Sequence, residues 1–293
     1  MIGELPGSRL AGPLPLAALA RFTSAWRRRD TGHHEQAALA AMAMSRSLFE
    51  LVRLAQQHRG LSSGWLSGTV SFVGSIMEKR QEIAHLQPQV LATHEVWGAV
   101  LGSALPRADI ETLFQRWELM VRGLEGKSVE QSLVLHTFLI GDICGWLEHL
   151  GADCVLPVLD DEIQRRAARN YFQRLPELAE CLGQARAIGS AVATREGCSP
   201  MERVRLVRLV AHAEALLDHL RETEPGSDQG RTATRRAGEL VTEIRSRMLM
   251  RTGVRVTAEA YFHLATVAID AIFDWIDVCG GHLSQALGSV DEN

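Results

Sequence analysis

Lysine is nearly absent. Lys79 and Lys127 are the whole complement, so 29 of the 31 basic residues in this 293-residue chain are arginines. Its usual cation is therefore a planar fork that stays charged and grips oxyanions through two parallel hydrogen bonds. The five cysteines (Cys144, Cys154, Cys181, Cys198, Cys279) are odd in number, widely spaced and include no Cys-x-x-Cys pair. That excludes a disulfide scaffold and a cysteine zinc site, and it suits a reducing compartment. His212 and His219 lie two turns apart with no third ligand in view, so no metal and no cofactor is expected. Also missing are a Gly-x-Ser-x-Gly, a phosphate-binding loop and a dinucleotide fingerprint, and nothing argues for an enzyme. A net charge of −4 with pI near 6.3 provides no field that would draw nucleic acid. The uncharged stretch 60–77 holds five serines and four glycines, too polar for a membrane span. At the N-terminus the basic cluster Arg27, Arg28, Arg29 follows the apolar stretch, the reverse of a secretory signal. A cytoplasmic protein without a membrane span is expected.

What is present reads as helix. The chain is 46% hydrophobic with mean hydropathy −0.02, apolar residues recur by threes and fours, and no strand alternation with hairpin turns interrupts them. Residues 1–33 read as a loose, proline-bearing leader. Eight helices are expected over 34–77, 78–101 (with a possible kink at Pro88), 109–122 with Asp109 as N-cap, 128–150, 162–194 with Pro176 as a kink or restart, 200–221, 231–251 and 257–287. Ser199-Pro200-Met201-Glu202 is a capping box with proline at the first helical position. The predicted architecture is all-α, two four-helix bundles over 34–151 and 152–288 joined by long helices.

The halves echo each other. A slide of 127 positions lays Leu48, Leu51, Ala55, Arg59, Ser62 and Leu66 on Leu175, Leu178, Leu182, Arg186, Gly189 and Ala193. A slide of 129 lays Arg122 on Arg251, Thr137 on Thr266, Ile140 on Ile269, Ile143 on Ile272 and Trp146 on Trp275. The near-constant offset predicts a duplicated four-helix unit.

Within that repeat, Arg59 and Arg186 interrupt apolar stripes that face the core. A guanidinium there is costly unless paired, and it cannot shed its proton. No Asp or Glu occurs in 51–77 or in 181–195, so the counter-charge must come from another helix or from a bound anion. Gly60, Ser62, Ser63 and Gly64 beside Arg59, and Gly189 and Ser190 beside Arg186, allow close approach and offer hydroxyls. The alternative is structural, with each arginine paired to a distant acid, for which Asp142 and Asp270 are available. His58 adjoins Arg59, but its counterpart is Ala185, and it reads as incidental.

The run Gln57-His58-Arg59-Gly60-Leu61-Ser62-Ser63-Gly64 resembles the hallmark of the nitrate- and nitrite-sensing (NIT) domain family, and the stretches 178–189 and 261–266 resemble later parts of it. The resemblance covers about 36–287. It implies two four-helix bundles that bind nitrate or nitrite through arginines, with Arg59 carried over by the motif and Arg186 next; Arg122 and Arg251 rest on the repeat, and Ser62 and Ser63 come with the motif. It also implies a non-catalytic sensor that passes a signal to an output module. No such module follows residue 288, so output through a protein partner, a homodimer or an absent domain is expected, and a stand-alone sensor and a piece of a longer protein both stay open. The competing functions are a helical scaffold with structural arginines and a sensor of the same fold for another small anion.

Overall fold

The structure is a computed structural model that describes residues 16–223, 227–249 and 254–288, with side chains from Gly32 onward. Among the described residues every regular element is helical and there is no strand. The α-helices are α1 (Leu16–Leu66), α2 (Val73–Leu101), α3 (Arg107–Arg122), α4 (Val129–His149), α5 (Glu162–Arg169), α6 (Leu175–Thr194), α7 (Pro200–Thr223), α8 (Asp228–Glu243) and α9 (Ala258–Gly288). α5 and α6 form one continuous rod through a π turn at Asn170–Arg174, which answers the question posed by Pro176. Proline cannot donate to the carbonyl four residues back and its ring crowds that group, and the wider turn just before it relieves both conflicts. α2 runs on through Pro88. Of the expected leader, residues 1–15 lie outside the described residues, and from Leu16 the backbone is already helical.

Helix ends follow local chemistry. The first helix was expected to reach residue 77, but it stops at Leu66. Gly68 takes φ +123°, and the Gly68 and Thr69 amides turn back to the carbonyls of Trp65 and Gly64 at 2.9 and 3.0 Å. This is a glycine-terminated C-cap, closed where only glycine sits without strain. α3 begins two residues earlier than expected, with Pro106 in extended geometry as its N-cap, so Asp109 lies in the first turn, where its charge suits the helix dipole. The capping box at Ser199 forms in both directions, Glu202 N–H to Ser199 Oγ and Ser199 N–H to Glu202 Oε2. Ser128 and Gln131 build a second one at the start of α4. Ser227 caps α8, which therefore begins inside the expected loop.

α1 and α6 form the axis of the molecule. α1 packs on α2, α4, α6 and α9, while α6 packs on α1, α7 and α9, and α8 closes on α9. Sixteen of the twenty residues of α6 are buried, as expected of a helix that is apolar and small all round. By length and composition Val129–Val158 could cross a membrane. In the structure its Leu139, Ile140, Ile143, Leu147 and Leu150 are core residues.

Candidate functional site

Arg59 and Arg186 are both fully buried, and among the described residues they follow only Trp275 in size of fully buried side chain. Each lies over a glycine of the opposite helix. A Cβ on Gly183 of α6 would come within 2.8 Å of Arg59 Nη2, and one on Gly60 of α1 would meet Arg186 Nε at 3.1 Å. The α1–α6 crossing is thus close-packed through two glycines, with a guanidinium on each. Each arginine also donates through Nη1 to a threonine, Arg59 to Thr137 on α4 at 3.1 Å and Arg186 to Thr266 on α9 at 3.0 Å. These are the two threonines that the sequence offset lays on one another.

Their remaining partners differ. Arg59 is neutralised by Glu180 of α6, with Nη1 at 2.6 Å from Oε1 and Nη2 at 3.0 Å from Oε2. Gln56 and Gln184 each donate to the same carboxylate at 2.9 Å. Arg186 has no carboxylate within hydrogen-bond reach: its Nε and Nη2 are buried without a partner, and its charge rests on the Phe262 ring, 5.1 Å from the centroid. Arg59 Nε and Ser63 Oγ are also buried without partners. Burial, followed by the like charge of Arg59, pushes the Arg186 guanidinium down to about 9, against the pull of Asp270. It remains a cation at neutral pH, held in an unfavourable place. A buried cation with two N–H groups free along one edge presents the geometry that a planar oxyanion satisfies.

The chain matches the family described as nitrate and nitrite sensing over residues 50–283. It belongs to that family. Among solved structures it is similar to one titled "Structure of the NasR transcription antiterminator", with TM-score 0.66 and 17% identity, over 94% of this chain and 76% of that one. At that identity the likeness shows the fold. Comparison with curated proteins gives no match. The family match begins just ahead of Arg59 and takes in both buried arginines.

The other residues singled out by sequence fare unevenly. Ser62 is buried, with its Oγ 3.4 Å from His58 Nδ1. Arg122 is not brought to the crossing. It is the last residue of α3, with its side chain 77% exposed and Glu118 at 3.6 Å, because the final turn of a surface helix carries an arginine outward into water. Arg251 lies outside the described residues. Asp142 does not serve Arg59 and instead pairs with Arg116 on the surface. Asp270 acts on Arg186 through space, with Oδ1 unpartnered.

His58 proves to be more than incidental. It is fully buried, its Nδ1 lies 2.8 Å from His136 Nε2, its Nε2 takes an Arg80 Nε–H at 3.3 Å, and His136 Nδ1 is 2.7 Å from the Ser132 carbonyl. Burial first, then neighbouring positive charge, holds His58 well below the usual imidazole range and lowers His136 to about 3. Among the described residues no cluster of three or more potential metal ligands exists, and burial raises the Cys154 and Cys181 thiols to about 11 and 12. Glu180, Gly183 and Phe262 stand at the crossing without having been singled out from sequence, and Thr137 and Thr266 were noted there only as a repeat match.

Proposed function

We propose that this protein is a non-catalytic sensor that binds one nitrate or nitrite ion between α1 and α6, against the free Nε and Nη2 of Arg186 and within reach of Arg59 Nε and Ser63 Oγ. The observation that carries this reading is Arg186 itself. Leaving two guanidinium N–H groups buried and unmatched costs about 1–3 kcal/mol each, and a singly charged planar oxyanion offers two acceptors and the missing counter-charge together. Membership of a nitrate and nitrite sensing family supports the same ligand class. We read the two halves, 34–151 and 152–288, as duplicated four-helix units forming one sensor, a reading supported by the matched Arg–Thr bonds. Arg251 stays in the proposed ligand set by its place in the repeat, while Arg122 leaves it. A cytoplasmic setting is supported by the five unpaired cysteines.

Binding becomes a signal if it changes how α1 and α6 sit. Two buried guanidiniums lie at one crossing with a carboxylate on Arg59 alone, and a bound anion draws the helices together by as much as it favours the closed arrangement. The tilt of α9, which holds Arg186 through Thr266, passes that change to a partner or an output domain. The similar solved structure is that of a transcription antiterminator, which supports a regulatory output. The scaffold reading has one observation in its favour, the bidentate Arg59–Glu180 pair, and Arg186 argues against it.

Thermal melting against nitrate, nitrite, chlorate and formate tests the proposal. A ligand present at 100 times its Kd stabilises the folded protein by about 2.7 kcal/mol. Arg186→Lys keeps the charge but loses the fork, so the nitrate response should fall at least tenfold while the fold survives. Nitrate binding by Arg59→Lys and Arg186→Lys equal to that of the parent would overturn the arginine clamp.

A further inference from the structure

Among the described residues, Glu180 is the one carboxylate inside the arginine cluster, and its surroundings hold it there. It spans both Nη groups of Arg59, and two glutamine amides, from Gln56 on α1 and Gln184 one turn along α6, add a hydrogen bond to each oxygen. Its side chain is only 14% exposed, at the wall of a groove of about 1050 Å³ between α4, α6 and α7. Four charge-assisted or amide hydrogen bonds make it a far stronger occupant of the Arg59 fork than nitrate, a weak base, can be. An incoming anion therefore leaves Glu180 where it is and takes the edges that remain.

Among the described residues, one carboxylate lies within hydrogen-bond reach of the two guanidiniums, so the cluster holds two positive charges and one negative. One positive charge is uncompensated, and it resides on Arg186. A singly charged oxyanion brings the cluster to neutrality, whereas a doubly charged one leaves an extra negative charge buried beside the Glu180 carboxylate, where repulsion is weakly screened. Asp270, half-buried and sharing its field with Arg53, adds to the same bias.

We infer that Glu180 sets the valence selectivity of the site: it is a resident anion that restricts the pocket to monovalent oxyanions and excludes sulfate-like dianions. This rests on the proposed anion site at Arg186. It assigns Glu180 a specificity role that does not require it to touch the ligand.

Perchlorate and sulfate share a tetrahedral shape and differ in charge, so they isolate valence from geometry. Calorimetric titration of the full chain with each, at fixed ionic strength and with nitrate as the reference ligand, should show perchlorate preferred by the parent. In Glu180→Gln, which keeps the shape and removes the charge, the sulfate-to-perchlorate affinity ratio should rise at least tenfold. Glu180→Asp, which keeps the charge, should retain the parent's preference. If Glu180→Gln is too unstable to titrate, melting serves instead, and the Tm shift caused by sulfate relative to that caused by perchlorate should exceed the same difference in the parent, which carries the non-specific effect of each salt. An unchanged ratio, or an unchanged difference in Tm shift, in a protein that still binds nitrate overturns the valence filter and leaves the sensor reading standing. A parent that binds neither nitrate nor nitrite overturns the sensor reading, and the filter falls with it.

Discussion

Arg59 and Arg186 occupy matched places on crossed helices, each over the other helix's glycine and each tied to a matched threonine, yet one is neutralised by a carboxylate and the other is not. In the first half the guanidinium is closed by Glu180 and flanked by the buried His58–His136 pair. At the aligned positions in the second half stand Ala185 and Ala265, both buried, and Tyr261 Oη donates to the Ala185 carbonyl at 2.8 Å. The difference separates an arginine whose charge is met from one whose charge is not. Burial alone does not distinguish them; the count of satisfied N–H groups does.

Breaking the neutralised side should have the largest effect. Glu180→Leu strands a fully buried Arg59 and should cost about 3–5 kcal/mol of folding stability, read by urea unfolding; a loss below about 1 kcal/mol would mean that Arg59 reaches solvent. The two crossing glycines give a sharper contrast. Gly183→Ala drives a methyl against Arg59 Nη2 and the Gln56 side chain, disturbing four good hydrogen bonds, and should lose about 1–2 kcal/mol net of the gain in helix propensity. Gly60→Ala presses on Phe262 and on Arg186, which has less to lose, so it should be nearly neutral in stability while abolishing the response to nitrate. Equal costs at the two positions would erase the proposed asymmetry.

Acid should act first on the histidine pair of the first half. Both histidines hold their folded-state pKa below the unfolded value near 6.5, so the unfolded chain takes up the protons. Stability is then full above pH 6.5 and declines as pH falls toward 3, by up to about 1.4 kcal/mol per pH unit for each histidine. A double alanine variant at 58 and 136, copying the second half, should flatten the stability–pH slope between 6.5 and 4; an unchanged slope assigns acid sensitivity elsewhere. The smallest effect belongs to Arg186→Met. It removes two unmatched N–H groups but also the bond to Thr266 and the contact with Phe262, so the net change in stability should stay within about 1 kcal/mol, yet nitrate should no longer raise the Tm at all.

The periodicity of threes and fours made the helices legible, and caps written in consecutive residues, such as Ser199 to Glu202, placed their starts. The break at Gly68 was readable by the same chemistry but was obscured by a serine-rich, uncharged run that continues the helical pattern. The inward arginines were legible because an acid-free window made them conspicuous on an apolar stripe. The partner of Arg59 was not, since Glu180 lies one residue beyond the other window and meets Arg59 only through the crossing of two helices 121 positions apart. Arg122 misled because a repeat offset carries a residue's place in the chain, but not which way its helix faces. The His58–His136 pair lay hidden for a related reason, having no echo in the second half.

That pair also has a direction. At one end the Ser132 carbonyl can only accept, and at the other the Arg80 Nε–H can only donate. His136 must therefore carry its proton on Nδ1, which leaves Nε2 to accept, and His58 must in turn carry its own on Nδ1 and accept from Arg80 on Nε2. No other arrangement of neutral rings satisfies every contact, so α2, α1 and α4 are stitched by a one-way file of protons whose order the two ends dictate. Two imidazole N–H protons sealed from water report on that stitching. Any slip of α1 against α4, beside the arginine crossing, must break the file at its middle link before the backbone helices themselves have changed.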